Sequence, residues 1–203
     1  MVNMIEKPQF FYVHRNSLAN KKMQSQQLIK ISRFLSYHLR HAPEKLGLEL
    51  EPGGCISTEK LLKACQNTKF TLTFSDLETV VKDNDKQRFS FNEAKTKIRA
   101  NQGHSVNIDL QLEPLIPPAI LYHGTHQKVV KTILKEGLKK MARHHVHLSE
   151  RKETALKVGS RRGKPVIFVI KAQQMSEDGC IFYCSDNGVW LVDYIDPKYL
   201  TIK

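Results

Sequence analysis

Apolar residues first fall into a regular pattern between residues 28 and 39. Leu28, Ile31, Leu35 and Leu39 share one helical face, with Lys30 and Arg33 off it. The spacing predicts an amphipathic helix that stops by His41 or Ala42, because Pro43 follows and a residue before proline avoids the helical region. Gly53 and Gly54 mark a turn, and Ser57 is placed to cap a second helix, TEKLLKACQ. In FSDLETVVKDND, Ser75 and Glu78 have capping-box spacing for a third. KQRFSFNEAKTKIRAN then changes period. Phe89 and Phe91 alternate with Arg88 and Ser90, and Lys95 to Arg99 alternates again, which predicts a hairpin with its loop near residues 92–94.

The pattern differs after LEPLIPPAI, whose three prolines read as a linker. AILYHGT predicts a strand ending at His123-Gly124-Thr125. HQKVVKTILKEGL predicts a helix with Val130, Ile133 and Leu134 inward and Gly137 as its stop. HVHLS alternates as a strand, and ERKETALKVGS reads as a helix that Ser149 could cap. KPVIFVIKA is long and apolar enough for a strand buried on both faces. CIFYCSDNGVWLVDYI predicts two more strands around the turn-rich Ser185–Gly188. The expected class is therefore α+β. An N-terminal extension over 1–27 precedes a first lobe over 28–111, a linker over 112–120 and a second lobe over 121–203. Three short helices followed by a basic hairpin form a winged-helix pattern, which serves nucleic-acid binding in some proteins and protein contacts in others.

Composition adds an anionic partner to this picture. The net charge is +12 over 203 residues, with 17 basic against 12 acidic residues in 1–118 and 15 against 8 in 119–203. The excess is spread over both lobes, which fits nucleic acid or a merely lysine-rich surface. Cys55, Cys65, Cys180 and Cys184 match no zinc spacing and read as reduced, mostly buried thiols of an intracellular protein. No apolar run reaches spanning length and the N-terminus lacks a signal peptide's apolar core, so no membrane partner is expected.

Arg40-His41 stands out among the residues able to carry chemistry. Both suit a helix C-terminus as ordinary solvated cations, and both suit an anion site, because a guanidinium can bind two phosphate oxygens at once. His123-Gly124 at a strand end would let a ligand approach the backbone and bond the imidazole, although a buried, satisfied histidine is the commoner arrangement. ARHHVHLS packs Arg143, His144, His145 and His147 together. Strand alternation would put His145 and His147 on one face, as a polar ligand wall or a solvated edge, and no third ligand at a convincing spacing supports a metal. Arg88 and Arg99 lie in the hairpin, and RANQGHS adds amide and hydroxyl groups that could touch a nucleic-acid backbone. Walker, G-x-G-x-x-G, H-E-x-x-H and G-x-S-x-G patterns are all missing, and the residues by themselves name no reaction.

Seven segments in order, FLSYHLRHAPEKLGLELEPGG, KQRFSF, IRANQGHS, YHGT, ILKEGLKKMARHHVHLS, GKPVIFVI and FYCSDNGVWL, resemble RNA 2′-phosphotransferases, a family known from tRNA splicing. The similarity runs from about Ile31 to Leu200. It implies a winged-helix RNA-binding lobe followed by an NAD-binding lobe similar to ADP-ribosyltransferases. It also implies transfer of an internal RNA 2′-phosphate to NAD through an ADP-ribosylated RNA 2′-phosphate. The products would be RNA with a 2′-hydroxyl, nicotinamide and ADP-ribose 1″,2″-cyclic phosphate. The family's essential set falls on Arg40, His41, Arg88 and Arg143, and its NAD-binding positions on His123, Gly124, Thr125, His145, His147 and Ser149. Ser185, Asn187 and Gly188 lie in a matched motif without an assigned role. Cys55 departs from an aromatic common in relatives, which bears on packing. The resemblance implies a monomer in the cytoplasm, or in the nucleus of a eukaryote, without a metal. Two alternatives stay open on the residues alone: an ADP-ribosyltransferase that stops at the adduct, and a non-catalytic winged-helix binder.

Overall fold

The computed structural model describes residues 26–203 apart from Lys69, Asn84 and Asp85. The expected extension therefore lies outside the described residues as far as residue 25. The first helix, α1, covers 26–40, and its stripe is the predicted one: Ile31, Leu35 and Leu39 are fully buried. It ends where both His41 N and Ala42 N donate to Tyr37 O, at 2.9 and 3.2 Å, and Pro43 opens a short 3-10 turn. β1 (Cys55–Ser57) follows, then α2 (Thr58–Gln66), whose first turn donates from Lys60 N to Ser57 Oγ as predicted. α3 spans Phe74–Lys82. Its capping box is Thr73 with Asp76 rather than Ser75 with Glu78, so the helix begins two residues earlier than expected. β2 (Phe89–Phe91) and β3 (Lys97–Ala100) form the predicted hairpin, with its second arm two residues later than read. β1 pairs with the far side of β3, giving a three-stranded antiparallel sheet in the order β1-β3-β2. Three helices and this sheet enclose one buried cluster from Ile31 to Ala100.

β4 (Ile120–His126) begins one residue inside the expected linker. α4 (Val130–Glu136) buries Val130 and Ile133, but Leu134 is 45% exposed, contrary to expectation. Gly137 ends α4 at φ +77, and a Cβ there would overlap the Ile195 carbonyl. β5 (Leu138–Lys139), β6 (Val146–Leu148) and α5 (Lys152–Gly159) come next. Ser149 does not cap α5, whose N-cap residue is Arg151. Its own N–H and carbonyl instead pair with Tyr122, tying the end of β6 to β4. β7 (Pro165–Lys171) is the predicted strand with buried residues on both faces, Ile167 and Phe168 among them. α6 (Ala172–Glu177) was not predicted. β8 (Tyr183–Cys184) and β9 (Trp190–Val192) flank the Ser185–Gly188 turn, and β10 (Tyr194–Ile195) is a third strand where two were expected. β11 (Leu200–Ile202) completes the chain.

The second half contains two three-stranded antiparallel sheets, β11-β7-β4 and β6-β9-β8, and the pair β10-β5, around a second cluster from Leu121 to Leu200. The molecule is α+β. All four cysteines are free, and only Cys65 is fully buried, so the thiols are less buried than the sequence suggested. Among the described residues no helix is long and apolar enough to cross a membrane.

Candidate active site

Two cavities of about 650 Å³ each meet at the end of α1. Arg40, Lys86 and Arg88 line both. One cavity lies between α1 and α3, with Arg33, Ser36, Tyr37 and His41 on its α1 side. The other reaches into the second half, with His123 and Gly124 of β4, His147 of β6, Ser149, and the α5 residues Thr154 and Val158 on its wall. Arg143 joins Arg40 and Arg88 in this second cavity, so guanidinium groups carried by both halves meet there.

Their meeting has an electrostatic cost. Burial, then the charges of Arg88 and Arg143, bring the Arg40 pKa down to about 10. Arg40 Nη2 donates to Arg88 O at 3.3 Å, while its buried Nε has no hydrogen-bond partner among the described residues. Like charges held together, with a buried donor left over, favour a bound anion.

His41 lines the α1–α3 cavity, with Nδ1 2.9 Å from Ser105 Oγ. Burial, then Arg40 and Arg143, lower its pKa. Ser105 N and Val106 N also donate to Arg40 O, at 2.9 and 3.4 Å. The segment expected to offer Asn101 and Ser105 to nucleic acid thus holds the end of α1, and Asn101 itself is buried.

The family described as "RNA 2'-phosphotransferase, Tpt1 / KptA family" matches residues 26–194. The chain belongs to this RNA 2′-phosphotransferase family. It is 61% identical over 178 residues to a probable RNA 2′-phosphotransferase of Trichormus variabilis, covering 88% of this chain and 98% of that protein. A protein of the same name from Nostoc punctiforme is 56% identical over 178 residues, with the same coverage. One from Herpetosiphon aurantiacus is 50% identical over 181 residues, covering 89% of this chain and 100% of its own. The resemblance read from the seven segments is borne out, and the protein is an enzyme of the transferase class.

In this RNA 2′-phosphotransferase the His123 proton can be assigned from its partner. His123 Nδ1 lies 3.0 Å from His147 O, which can only accept, so Nδ1 carries the hydrogen and Nε2 is left as an acceptor. Burial lowers its pKa and keeps the ring neutral. The His147 ring lies between two partners, Arg143 Nη1 at 3.5 Å from Nδ1 and the backbone of His145. Its Nε2 is buried without a partner among the described residues. Burial, then Arg143, push the His147 pKa down to about 3. Two neutral imidazoles therefore stand side by side in the cavity.

Other expected residues are placed differently. Gly124 lines the cavity, but a Cβ there would overlap the Ala155 carbonyl oxygen, so its missing side chain admits α5 and not a ligand. Thr125 is outside the cavity lining, and a Cβ at Gly159 would come within 2.6 Å of its carbonyl oxygen. His145 precedes β6 and leaves the cavity, packing edge-on to Tyr183 with ring centroids 5.5 Å apart. The sequence reading missed Lys86, Arg151, Thr154, Lys157 and Arg161, which also line the cavity. Arg151, Thr154 and Val158 recur at intervals of three and four, a helical face that could have been read. Among the described residues no group of three or more His, Cys, Asp or Glu is arranged to hold a metal.

Proposed function

We propose that this RNA 2′-phosphotransferase moves an internal RNA 2′-phosphate to NAD, leaving RNA 2′-hydroxyl, nicotinamide and ADP-ribose 1″,2″-cyclic phosphate. In this reading residues 28–111 are a winged-helix RNA-binding lobe, 112–120 a linker and 121–203 an ADP-ribosyltransferase-like lobe. One observation carries it: Arg40 and Arg88 from the first half and Arg143 from the second line one cavity beside His123 and His147. NAD is a consumed substrate, and the second cavity suits it. Its volume is that of a small-molecule site. Its neutral histidines offer His123 Nε2 as an acceptor and the unpartnered His147 Nε2 to ribose or amide groups. Arg151, Lys157 and Arg161 offer positive charge to a pyrophosphate. The RNA strand lies across the α1–α3 cavity, so that its phosphate sits at the shared arginines.

Arg40, Arg88 and Arg143 hold the phosphate in line with the anomeric carbon of the nicotinamide ribose. A phosphate oxygen forms the new C–O bond as the C–N bond breaks, and that electron pair leaves with neutral nicotinamide. The phosphate is already anionic, so this step needs orientation and no base. In the second step the ribose 2″-oxygen bonds to phosphorus, gives up its proton to solvent water, and displaces the RNA 2′-oxygen. The arginines stabilise the extra charge on five-coordinate phosphorus. His41 supplies the proton to the departing oxygen. Burial, with repulsion from Arg40 and Arg143, keeps it neutral in the free enzyme, and a bound dianion offsets that repulsion and raises its pKa.

The test is product analysis with NAD and a short RNA carrying one internal 2′-phosphate. Wild type should release nicotinamide and the cyclic phosphate and leave RNA 2′-hydroxyl. A stable ADP-ribosyl adduct from wild type would mean that transfer stops after the first step, and unconsumed NAD would overturn the reading. His41→Ala should consume NAD and accumulate the adduct; if it leaves NAD intact, the role given to His41 is wrong.

A further inference from the structure

The Ser185–Gly188 turn adds Asn187 and Gly188 to the lining of the second cavity, yet it is part of neither the arginine clamp nor the histidine pair. It joins β8 to β9 in the second half, yet its side chains bind the first half. Asn187 Nδ2 donates to Lys86 O at 2.9 Å. Asp186 Oδ2 accepts from Arg99 Nη2 at 2.6 Å and lies 3.2 Å from Ser90 Oγ.

The segment gripped in this way delivers Arg88. Its three consecutive carbonyls are all held: Lys86 O by Asn187, Gln87 O by Asn101 Nδ2 at 2.8 Å, and Arg88 O by Asn101 N at 2.9 Å and Arg40 Nη2 at 3.3 Å. Gln87 needs such support, because it adopts φ +40, where a residue with a Cβ is strained. The amides are themselves oriented. Ser185, 3% exposed, has its hydroxyl 2.8 Å from Asn187 Oδ1, which can only accept, so Nδ2 is left for Lys86. Ser90 Oγ does the same for Asn101, donating to Oδ1 at 2.6 Å.

We propose that Asp186 and Asn187 clasp the two halves together and thereby position Arg88 for the substrate phosphate. Asn187 is then a positioning residue for the transfer, not a contact to the dinucleotide. The partly exposed Arg99–Asp186 pair contributes little stability by itself. Its effect is geometric, since a reacting group displaced by about 1 Å loses rate by about a hundredfold. The inference rests on the phosphotransfer reading above.

Steady-state kinetics with 2′-phosphorylated RNA and NAD, each varied in turn, test it. Asn187→Ala should lower kcat/KM for RNA by at least about tenfold while KM for NAD stays within about twofold. A raised KM for NAD with unchanged RNA parameters would make Asn187 a dinucleotide contact and overturn the proposal, as would no change at all. A cycle of Arg99→Gln, Asp186→Asn and their double variant is independent of how well Asn187→Ala folds. Each single variant should lower kcat/KM for RNA, with the double no worse than either; fully additive losses, or none, contradict the clasp. The wild-type control separates the two readings. An inactive wild type defeats the phosphotransfer reading, whereas an active wild type with unaffected variants defeats the clasp alone.

Discussion

His104 and His147 are held neutral by burial, and this leaves a mark on stability. Each has a pKa near 3 in the fold, and His104 is completely buried with neither ring nitrogen bonded among the described residues. An unfolded chain takes up a proton at each near pH 6.5. Between roughly pH 6.5 and 3 the unfolded state therefore binds more protons, so stability is fully present above that window and is lost as pH falls through it. Thermal melts should drop steadily from pH 7 to pH 4. His104→Leu should flatten that slope by about one proton, or about 1.4 kcal/mol per pH unit within the window. An unchanged slope would show that His104 titrates normally. At this scale the arginines were legible because Arg40, Arg88 and Arg143 stand in recognisable segments. Thr125 lies near the end of β4 outside the cavity lining, and His145 lies just before β6, so strand alternation does not set it beside His147. Gly124 was read as room for a ligand when the neighbour it admits, α5, follows nearly thirty residues later.

The elements divide by length. α1, α2, β4 and β7 run long enough for their periodicity to show, and each lies close to where the pattern put it. β1, β5 and β10 have two or three residues, too few to repeat a period, and are defined only by distant partners. The α3 cap was ambiguous for a different reason. Thr73-x-x-Asp76 and Ser75-x-x-Glu78 have the same spacing, and only coordinates choose between them. The choice is measurable: Thr73→Ala should cost about 1 kcal/mol in denaturant melts, and Ser75→Ala a few tenths. Equal losses would contradict the assigned cap. The packing of β4 on α5 gives a second measure. Gly124→Ala forces a Cβ into the Ala155 carbonyl and should destabilise the fold by about 1–3 kcal/mol even with no substrate present. A fully stable variant that merely loses activity would return Gly124 to the ligand.

Across the whole molecule, two buried clusters meet at a line of charge. The first supports α1 and the hairpin that present Arg40 and Arg88, and the second supports the strands that carry His123 and His147. The overall basic charge was visible in the sequence, and the two clusters fall on either side of its proline-rich segment. Their convergence was not in the pattern itself and came only through the family resemblance, whose essential set falls on both sides. It depends on contacts between residues about forty to a hundred positions apart, such as His144 with Val106 O and Asn187 with Lys86 O. The most direct measurement of that convergence is the affinity for one short RNA with and without its internal 2′-phosphate, in wild type and in Arg40→Gln, Arg88→Gln and Arg143→Gln. Wild type should prefer the phosphorylated RNA by at least about tenfold, since charge-assisted pairs of this kind are each worth about 1.5–3 kcal/mol. Every one of the three variants should lose most of that preference. If any of them keeps the full wild-type preference, the three arginines do not share one phosphate.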